Sequence, residues 1–209
     1  DDDEIEPDFI PYVKEKSRTE PYDIFIGSGA NQVDDESALP VPLFLDFPHR
    51  EGGYLVPDDP EIRGGLLYGT PMFLGAKLIR RSIIAKNQIR FDETIQLTED
   101  VLFALECYVK AETICVLSSI QAFTYKQRGD SLLQRMMKEN SFPIRTYLDP
   151  VDRLVELSVS NRISPSQFLW IMMGMFGVII NQEATDETRR RELLQGIQKY
   201  LPYMSKTPP

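Results

Sequence analysis

Residues Leu97–Tyr108 read LTEDVLFALECY, and this stretch predicts an amphipathic helix that begins with paired carboxylates. Thr98 is a residue type that caps helices, and Glu99 and Asp100 then lie in the first turn, where the helix dipole favours negative charge by about 0.3–1 kcal/mol. The same position keeps a carboxylate ionised, as a general base requires. The stretch therefore indicates either an ordinary helix start or a catalytic base. The apolar side chains that share one helical face are Val101, Leu102, Leu105, Tyr108 and Val109.

The composition is that of a soluble globular protein with an excess of acid. Of 209 residues, 42% are apolar and 26% are charged, so one large domain can bury a core. Asp and Glu number 32 against 23 Lys and Arg, which gives a formal net charge of −9. This balance argues against a nucleic-acid partner, whose phosphates need a basic surface, and against a polybasic membrane patch. A phosphorylated substrate would need a metal ion to offset the surrounding acid.

The cysteines and the first residues indicate a reduced, cytoplasmic protein. Cys107 and Cys115 form no CxxC pair and His49 is distant in sequence, which argues against a zinc site and a disulfide framework. The first residues, DDDEIEPDFI, are too acidic for a signal peptide. No apolar run reaches the roughly 18–20 residues that cross a bilayer. We therefore expect a cytoplasmic location without a transmembrane segment, and leave open a peripheral contact at the inner face of the cell membrane.

The patterns along the chain predict a mixed α/β protein. Residues 31–69 are rich in Pro, Gly and Asp and predict long loops with short strands or turns, and Ile89–Ile95 predicts a short extended piece. Runs of β-branched and aromatic residues predict strands over Tyr22–Gly29, Thr113–Ser119 and Gln121–Gln127. Helical periodicity covers Asp8–Lys16, Thr70–Lys86 and Leu97–Glu112.

The chain from about Asp149 onward has a helical pattern throughout. Asp149 and Ser164, each followed by proline, and Thr185, followed by acids, predict helix starts. Phe168–Ile180 is apolar on every side and would be about 20 Å long as a helix, too short to span a membrane. It predicts a buried core helix, and the alternative is a surface that contacts a partner or a membrane.

Two more motifs carry charges that suit phosphate chemistry. Asp1–Asp3 is either a solvated acidic end or a site for a hard divalent cation. In Phe123–Arg135, Lys126 and Arg128 follow a strand, Gly129 gives a turn, and Ser131 can cap a helix. This is either a solvated strand-to-helix corner or a place where the arginine pairs with phosphate oxygens.

In chain order, these motifs resemble those of the GT-A-fold glycosyltransferases of family two, the bacterial polysaccharide and cell-wall sugar transferases. The chain has an acidic run before IEP, then KLIRR, IRFDE, EDVLF and YKQRGDS. The family typically shows D-x-D-D before x-I-E-P, then K-L-x-R-R, I-x-F-x-E, E-D-x-x-F and Y-x-x-R-x-x-S. The resemblance spans residues 1 to about 135. It implies an α/β fold that is part of a GT-A domain, with residues 1–135 as the acceptor-side, catalytic half and 136–209 as a helical C-terminal region.

The resemblance also implies an activity and a set of site residues. It implies transfer of a sugar, with inversion, from a nucleotide-sugar donor to a sugar or lipid-linked acceptor. Asp100 matches the catalytic base, with Glu99 beside it. Asp2 and Asp3 match metal ligands for Mg²⁺ or Mn²⁺, although a register that uses Asp1 and Asp3 is also open. Substrate-binding roles fall on Arg128, Lys77 and Ser131.

The chain departs from the family pattern at its start. A βαβ nucleotide-binding unit precedes the D-x-D in the family, and this sequence begins at the acidic run. We therefore expect the 209-residue chain alone to bind nucleotide sugars weakly and to be inactive. The competing hypothesis is a non-catalytic or truncated binding module that keeps the glycosyltransferase fold without the activity.

Overall fold

A mixed sheet with helices on both faces forms the framework of the protein. The computed structural model describes residues 3–33, 52–55, 74–95, 98–130, 144–160, 163, 168 and 186–204. The 5-stranded sheet has the order β1-β5-β2-β4, and β3 also pairs with β5. The strands are β1 (Glu4–Ile5), β2 (Ile24–Val33), β3 (Gly52–Leu55), β4 (Lys77–Ile79) and β5 (Thr113–Gln127).

The longest strand, β5, organises the sheet. It pairs in parallel with β2 along one edge, from Ile24↔Ile114 to Val33↔Gln127. Along its other edge it pairs antiparallel with β3 near its start and with β1 near its end. The prediction of two strands here is wrong, because β5 is continuous. Residues 118–120 are instead an irregularity within it, where the register against β2 shifts around Ser28.

At Gly27 the backbone of β2 lies very close to β5 and to Phe9. A Cβ atom at this position would overlap Ala122 Cβ and lie 3.0 Å from both the carbonyl oxygen of Ile120 and Phe9. Glycine is therefore required by the close approach of β2 to the irregular part of β5.

Alternate residues of β2 and β5 enter hydrophobic cores on opposite faces of the sheet. Ile24, Ile26, Ile114 and Val116 belong to one core, together with buried side chains of the later helices. Phe25, Cys115 and Leu117 belong to the second core, with Phe9 and Val13 of the first helix. Helices thus cover both faces, which explains why the strand Tyr22–Gly29 was recognisable as a continuous apolar run.

Two predicted helices are present, but their boundaries differ from the predicted ones. The helix predicted over Asp8–Lys16 begins at Phe9, with Pro11 in its first turn, where a missing N–H costs little. The helix expected to start at Asp149 already begins at Ile144 and contains Pro150. The helices are α1 (Phe9–Thr19), α2 (Arg81–Asn87), α3 (Glu99–Lys110), α4 (Ile144–Ser160), α5 (Glu187–Gln198) and α6 (Leu201–Met204).

The prediction of a helix over Thr70–Lys86 is wrong in its first part. Lys77–Ile79 is the strand β4, which pairs antiparallel with β2, and the helix α2 begins only at Arg81. An apolar run of this length is compatible with a helix or with a strand. It forms a strand here because it pairs with the edge of β2 that β5 does not occupy. The prediction of an extended piece over Ile89–Ile95 is also wrong, because the chain turns at Asp92. The Asp92 Oδ1 atom accepts a hydrogen bond from Thr94 N–H (3.0 Å), and the Asp92 carbonyl oxygen accepts one from Ile95 N–H (3.1 Å).

The C-terminal helices pack on the same core as the sheet. Val151 and Leu154 of α4, Leu193 of α5 and Tyr200 are buried in the core that contains Ile24 and Ile114. Asp186 caps α5, since its carboxylate accepts hydrogen bonds from Thr188 N–H (2.9 Å) and Arg189 N–H (3.1 Å). The division of the chain near residue 135 stays a prediction.

Several sequence predictions concern residues outside the described ranges. They include the starts at Ser164 and Thr185, most of the loops over 31–69, and the apolar stretch Phe168–Ile180, of which Phe168 alone is described and is buried. Within the described ranges, none of the helices has the length and apolar character needed to cross a bilayer. Cys107 and Cys115 are buried as free thiols, and burial raises the pKa of Cys107 to about 12.

Candidate active site

The predicted helix over LTEDVLFALECY is confirmed as α3, and its first turn carries Glu99 and Asp100. Its apolar face is buried as expected at Leu102, Leu105 and Tyr108. Thr98 occupies the N-cap position, but it has a left-handed backbone (φ 65°) and its side chain makes no capping hydrogen bond. The predicted side-chain cap at Thr98 is therefore wrong, and the carbonyl oxygen of Thr98 accepts from Leu102 N–H at 3.1 Å.

Thr98→Gly should stabilise the protein. A left-handed conformation costs an L-residue about 1–2 kcal/mol, and the greater freedom of glycine in the unfolded chain offsets part of this gain. We expect the free energy of unfolding to rise by about 0.5–1 kcal/mol, measured by urea denaturation. The control is Thr146→Gly, the same change inside α4, which should lower it by about 0.3–0.5 kcal/mol, because threonine is itself a weak helix former. Equal losses in both variants would show that the backbone at Thr98 is not strained.

The Asp100 carboxylate is held by a backbone donor of its own helix turn. Its Oδ1 accepts a hydrogen bond from Val101 N–H at 2.8 Å. The backbone N–H of Leu74, on the segment that leads into β4, favours the charged form and opposes the rise in the pKa of the carboxyl. The side chain is half-buried. Asp100 is therefore fixed at the start of α3.

Lys77 is the first residue of β4, and its positive charge favours ionisation of Asp100 by holding down the pKa of that carboxyl. The strand is anchored by the pairing of Lys77 with Ile26 and by a hydrogen bond from Gly27 N–H to the carbonyl oxygen of Ala76 (2.8 Å). The Lys77 ammonium donates to the carbonyl oxygen of Gly75 at 3.4 Å, and its charge acts on Asp100. Ala76, immediately before Lys77, has a left-handed backbone (φ 61°). Thr98, immediately before Glu99, has the same conformation.

Burial shifts the pKa values of all the charged groups at this site toward neutrality. Loss of water around Asp100 raises the pKa of its carboxyl, and its hydrogen bonds and Lys77 only partly oppose that shift. Burial likewise raises the pKa of Glu99. Desolvation lowers the pKa of Lys77 to about 7, although the negative charge of Asp100 opposes it. A carboxylate with a raised pKa is a stronger base than a surface carboxylate, so the arrangement suits Asp100 for removing a proton from a bound hydroxyl.

Of the two predicted metal ligands, Asp3 is the one that the structure describes. Asp1 and Asp2 are outside the described residues, whereas Asp3 is exposed and its Oδ1 accepts a hydrogen bond from Lys126 N–H at 3.1 Å. In the described part of the chain no group of three or more His, Cys, Asp or Glu side chains could hold a metal ion. The described residues therefore do not by themselves form a cation site, and a metal at Asp2 and Asp3 stays a prediction.

The register of the sheet places Lys77 and Asp3 at different positions along it. Lys77 lies opposite Ile26 of β2, whereas Lys126, which donates to Asp3, lies opposite Gln32. This interval is at most about 20 Å of strand, at about 3.3 Å per residue. Asp3 therefore lies further along the sheet than Lys77, whereas Glu99 and Asp100 share the first turn of α3.

Arg128 immediately follows β5 and already has an anionic partner. Its guanidinium donates to both carboxylate oxygens of Asp130, at 3.1 and 2.8 Å. Both side chains are exposed, and such surface pairs are worth about 0–1 kcal/mol, so an arriving phosphate could replace Asp130. Ser131 is outside the described residues. The substrate-binding roles of Arg128, Lys77 and Ser131 stay predictions.

Sequence patterns missed the polar contacts that anchor β1 and Asp100. Glu6 accepts hydrogen bonds from Gln121 Nε2 (2.8 Å) and from the buried Thr124 Oγ1 (3.0 Å), which attaches the acidic start of the chain to β5. The N–H of Leu74 could not have been found, because a backbone donor leaves no trace in residue type. Lys77 did leave one: a lone charge within the apolar run FLGAKLI is a residue that needs a buried partner.

Comparison with known proteins finds the fold in solved structures. No protein-family model matches the chain, and no curated protein matches it. The chain is similar to S. aureus TarS 1-349 in complex with UDP-GlcNAc, with a TM-score of 0.62 at 14% identity, over 97% of this chain and 55% of that one. A second structure of S. aureus TarS 1-349 gives a TM-score of 0.55 at 15% identity, over 94% and 51% of the two chains. The chain thus spans about half the length of the solved structures it matches.

The fold is of the GT-A glycosyltransferase type. The predicted fold class is therefore confirmed, since the α/β sheet and the helices that follow it agree with TarS over nearly the whole chain. At 14% identity the likeness shows the fold and leaves the residues of the site to be judged by their own geometry.

Proposed function

We propose that this chain is the catalytic, acceptor-side part of an inverting glycosyltransferase that uses a nucleotide-sugar donor. The observation that carries the proposal is the half-buried Asp100 at the start of α3, which accepts a hydrogen bond from Val101 N–H, on a fold shared with TarS. TarS 1-349 was solved in complex with UDP-GlcNAc, which supports a UDP-sugar as the donor class. A sugar or lipid-linked hydroxyl is the proposed acceptor.

In the proposed reaction Asp100 acts as the general base. It takes the proton as the acceptor O–H bond breaks, and the freed oxygen forms a bond to the anomeric carbon of the donor. The bond from that carbon to the diphosphate oxygen breaks, and the nucleoside diphosphate leaves with the electron pair. Attack opposite the leaving group inverts the anomeric configuration. Glu99, whose pKa burial also raises, places a second carboxylate beside the base.

The departing diphosphate needs positive charge, and two features could supply it. Arg128 presents a planar fork that matches phosphate oxygens, and it pairs with the exposed Asp130. We further propose that Mg²⁺ or Mn²⁺ binds at Asp2 and Asp3; such an ion, when bound, would neutralise charge on the leaving group. Ser131 is proposed to bind substrate close to Arg128. A cytoplasmic location, with contact at the inner membrane face, remains part of the proposal.

A transfer assay with UDP-sugars tests the proposal. The 209-residue chain and the longest in-frame protein that contains it are incubated with UDP-GlcNAc and a glycan acceptor mixture, and released UDP and glycosylated product are measured. We expect transfer by the longer protein, with inverted configuration in the product. The absence of both transfer and donor binding in the longer protein would contradict it and would favour a non-catalytic module.

Metal dependence gives a separate prediction. Excess chelator should abolish transfer and Mn²⁺ should restore it, because the leaving diphosphate loses its counter-charge. Asp2→Ala should weaken binding of Mn²⁺ and of UDP-GlcNAc together, as measured by calorimetry. The matched control is Asp8→Ala, since Asp8 makes no side-chain capping bond at the start of α1. Full activity in excess chelator would show that the acidic start of the chain binds no catalytic metal.

A further inference from the structure

A cavity of about 320 Å³ lies between the turn that follows α2 and the helix α4. The turn contributes Asp92 and Ile95 to its wall, and α4 contributes Arg145, Asp149 and Arg153, among others. This volume is at the lower end of the range for small-molecule sites, about 300–1,000 Å³. Such sites usually have mostly apolar walls, whereas charged side chains form most of this wall. The cavity therefore suits a small polar ligand or a short part of a larger one.

The wall of the cavity offers both hydrogen-bond donors and hydrogen-bond acceptors. Arg145 donates through Nε to Asp149 at 3.2 Å, and its two terminal nitrogens have no partner in the described part of the chain. Asp92 Oδ1 accepts from Thr94 N–H at 3.0 Å, whereas Asp92 Oδ2 has no partner among the described residues. A hydroxyl group both donates and accepts, so neighbouring hydroxyls of one ligand can bond to a carboxylate and to a guanidinium.

The charges of the wall argue against an ionic ligand. Its four carboxylates outnumber its two guanidiniums, even when Lys199, which pairs with Asp152 at 3.0 Å, is counted with them. This excess of acid opposes a phosphate group. Arg145 and Arg153 already pair with acids, at 3.2 and 2.8 Å, so a cationic ligand would have to compete with them. A neutral compound with several hydroxyl groups, such as an uncharged sugar, suits the wall better.

A row of side chains on α3 connects this cavity with Asp100. Asp100, Phe103 and Glu106 are three residues apart, so they follow one another on the helix surface with about 5–6 Å between neighbouring Cβ atoms. Glu106, at the far end of the row, pairs with Arg153 of the cavity at 3.9 Å. The row is therefore about 10–12 Å long, a distance that a short oligosaccharide can cover.

An exposed aromatic ring lies at the middle of this row. Phe91 stacks on Phe103, with ring centroids 4.2 Å apart and an angle of 7° between the planes. Phe103 is buried, whereas Phe91 is 47% exposed. The next residue, Asp92, belongs to the wall of the cavity. The electron-rich face of such a ring attracts the C–H groups of a sugar, so Phe91 offers a stacking surface between Asp100 and the cavity.

We propose that Phe91 and this cavity bind the acceptor glycan beyond the sugar that reacts, and that the acceptor is a neutral oligosaccharide. This inference rests on the proposed function, since it names the acceptor class of the same site. The terminal sugar presents its hydroxyl to Asp100, and the next sugar packs its C–H face on Phe91. The hydroxyls of a further sugar bond to Asp92 and Arg145 in the cavity.

Binding of oligosaccharides to the 209-residue chain tests the proposal. The chain is applied to an array of neutral oligosaccharides of two to six sugar residues, together with phosphorylated forms of the same compounds. The dissociation constants of the bound compounds, and that of spermidine, are then measured by NMR titration. We expect binding of neutral oligosaccharides, weakened by phosphorylation. Binding to none of them, or a preference for the phosphorylated forms or for spermidine, overturns the proposal.

Four variants test whether the bound oligosaccharide occupies this cavity. Arg145→Met and Asp92→Asn each remove one charged hydrogen-bonding group at nearly constant size, and each should weaken binding about tenfold. Phe91→Ala should weaken it about three- to tenfold through the lost stacking. The control is Arg191→Met, because Arg191 also pairs with an acid one helix turn away, Glu187 at 3.5 Å, but lies on α5. Unchanged binding in both Arg145→Met and Asp92→Asn overturns the proposal.

The kinetics of the acceptor separate this inference from the proposed function. In an active protein, Arg145→Met should raise the KM of a neutral tetrasaccharide acceptor about tenfold with little change in kcat, because the lost contact forms equally in the bound and reacting states. The binding measurements require no donor. Oligosaccharide binding at the cavity without transfer would refute the proposed function alone, whereas transfer with an unchanged KM in Arg145→Met would refute the cavity's role alone.

Discussion

Asp100→Asn should lower sugar transfer by about 10²–10⁴-fold, the usual cost of losing a general base. The asparagine keeps the size of the side chain, and its amide oxygen can still accept from Val101 N–H, which Asp100 Oδ1 does at 2.8 Å. The buried position that raises the pKa of Asp100 should accept a neutral side chain without loss of stability. We therefore expect lost turnover with preserved folding and donor binding, measured by initial rates, circular dichroism and calorimetry.

Asp186→Asn is the matched control for this variant. Asp186 also lies at a helix start and also accepts from backbone N–H groups, of Thr188 and Arg189, but it belongs to α5. Asparagine caps helices as well as aspartate does, so this change should leave both transfer and stability near the wild type. If Asp100→Asn kept more than about a third of the wild-type rate, Asp100 would not be the base.

Gly27→Ala should destabilise the protein strongly, because the added methyl group meets neighbours on every side. The new Cβ would overlap Ala122 Cβ and meet the backbone oxygen of Ile120 at 3.0 Å. Neither neighbour can rotate away, so the strands themselves must separate. Overpacking of this kind costs about 1–3 kcal/mol and occasionally more, and we expect a loss of about 3 kcal/mol in the free energy of unfolding.

Gly196→Ala is the control for Gly27→Ala, because its added methyl group would crowd a side chain and not the backbone. Its Cβ would overlap Cδ1 of Leu148 and lie 3.0 Å from Cδ2, but a leucine side chain can change its rotamer. Alanine also favours the helix α5 by about 1 kcal/mol over glycine. We expect a change within about 1 kcal/mol of the wild type, measured by the same denaturation. If Gly27→Ala were as mild as Gly196→Ala, the strands would be adaptable at this point.

Local patterns in the sequence predicted those elements whose contacts are themselves local. The helix α3 was recognisable because Leu102, Leu105 and Tyr108 repeat at helical spacing and all face one core. The strand β4 was missed because its hydrogen bonds come from β2, some fifty residues earlier, and apolar run length alone does not distinguish helix from strand. The continuity of β5 was missed for a related reason. Its pairing with β2 on both sides of residues 118–120 shows that one strand passes through this irregular segment.

The same distinction between local and remote contacts applies to the candidate site. Glu99 and Asp100 could be found from sequence because they interrupt an apolar pattern at a helix start. Their relation to Lys77 could not, because it depends on a turn between elements that are remote in sequence. Left-handed backbone at Ala76 and Thr98 could not be predicted either, since neither residue type favours it. Such backbone tends to accumulate at functional sites, which agrees with the position of both residues beside the charges.

The irregularity at residues 118–120 constrains how this protein can change in evolution. Cys115 and Leu117 face the core under α1, and so does Ala122, an odd number of residues beyond Leu117. The irregular segment therefore exchanges the inward and outward positions of β5 halfway along the strand. Gain or loss of one residue there would turn Thr124 away from Glu6, to which its hydroxyl donates at 3.0 Å. Natural variants should therefore conserve the length of this segment more strictly than its residue types.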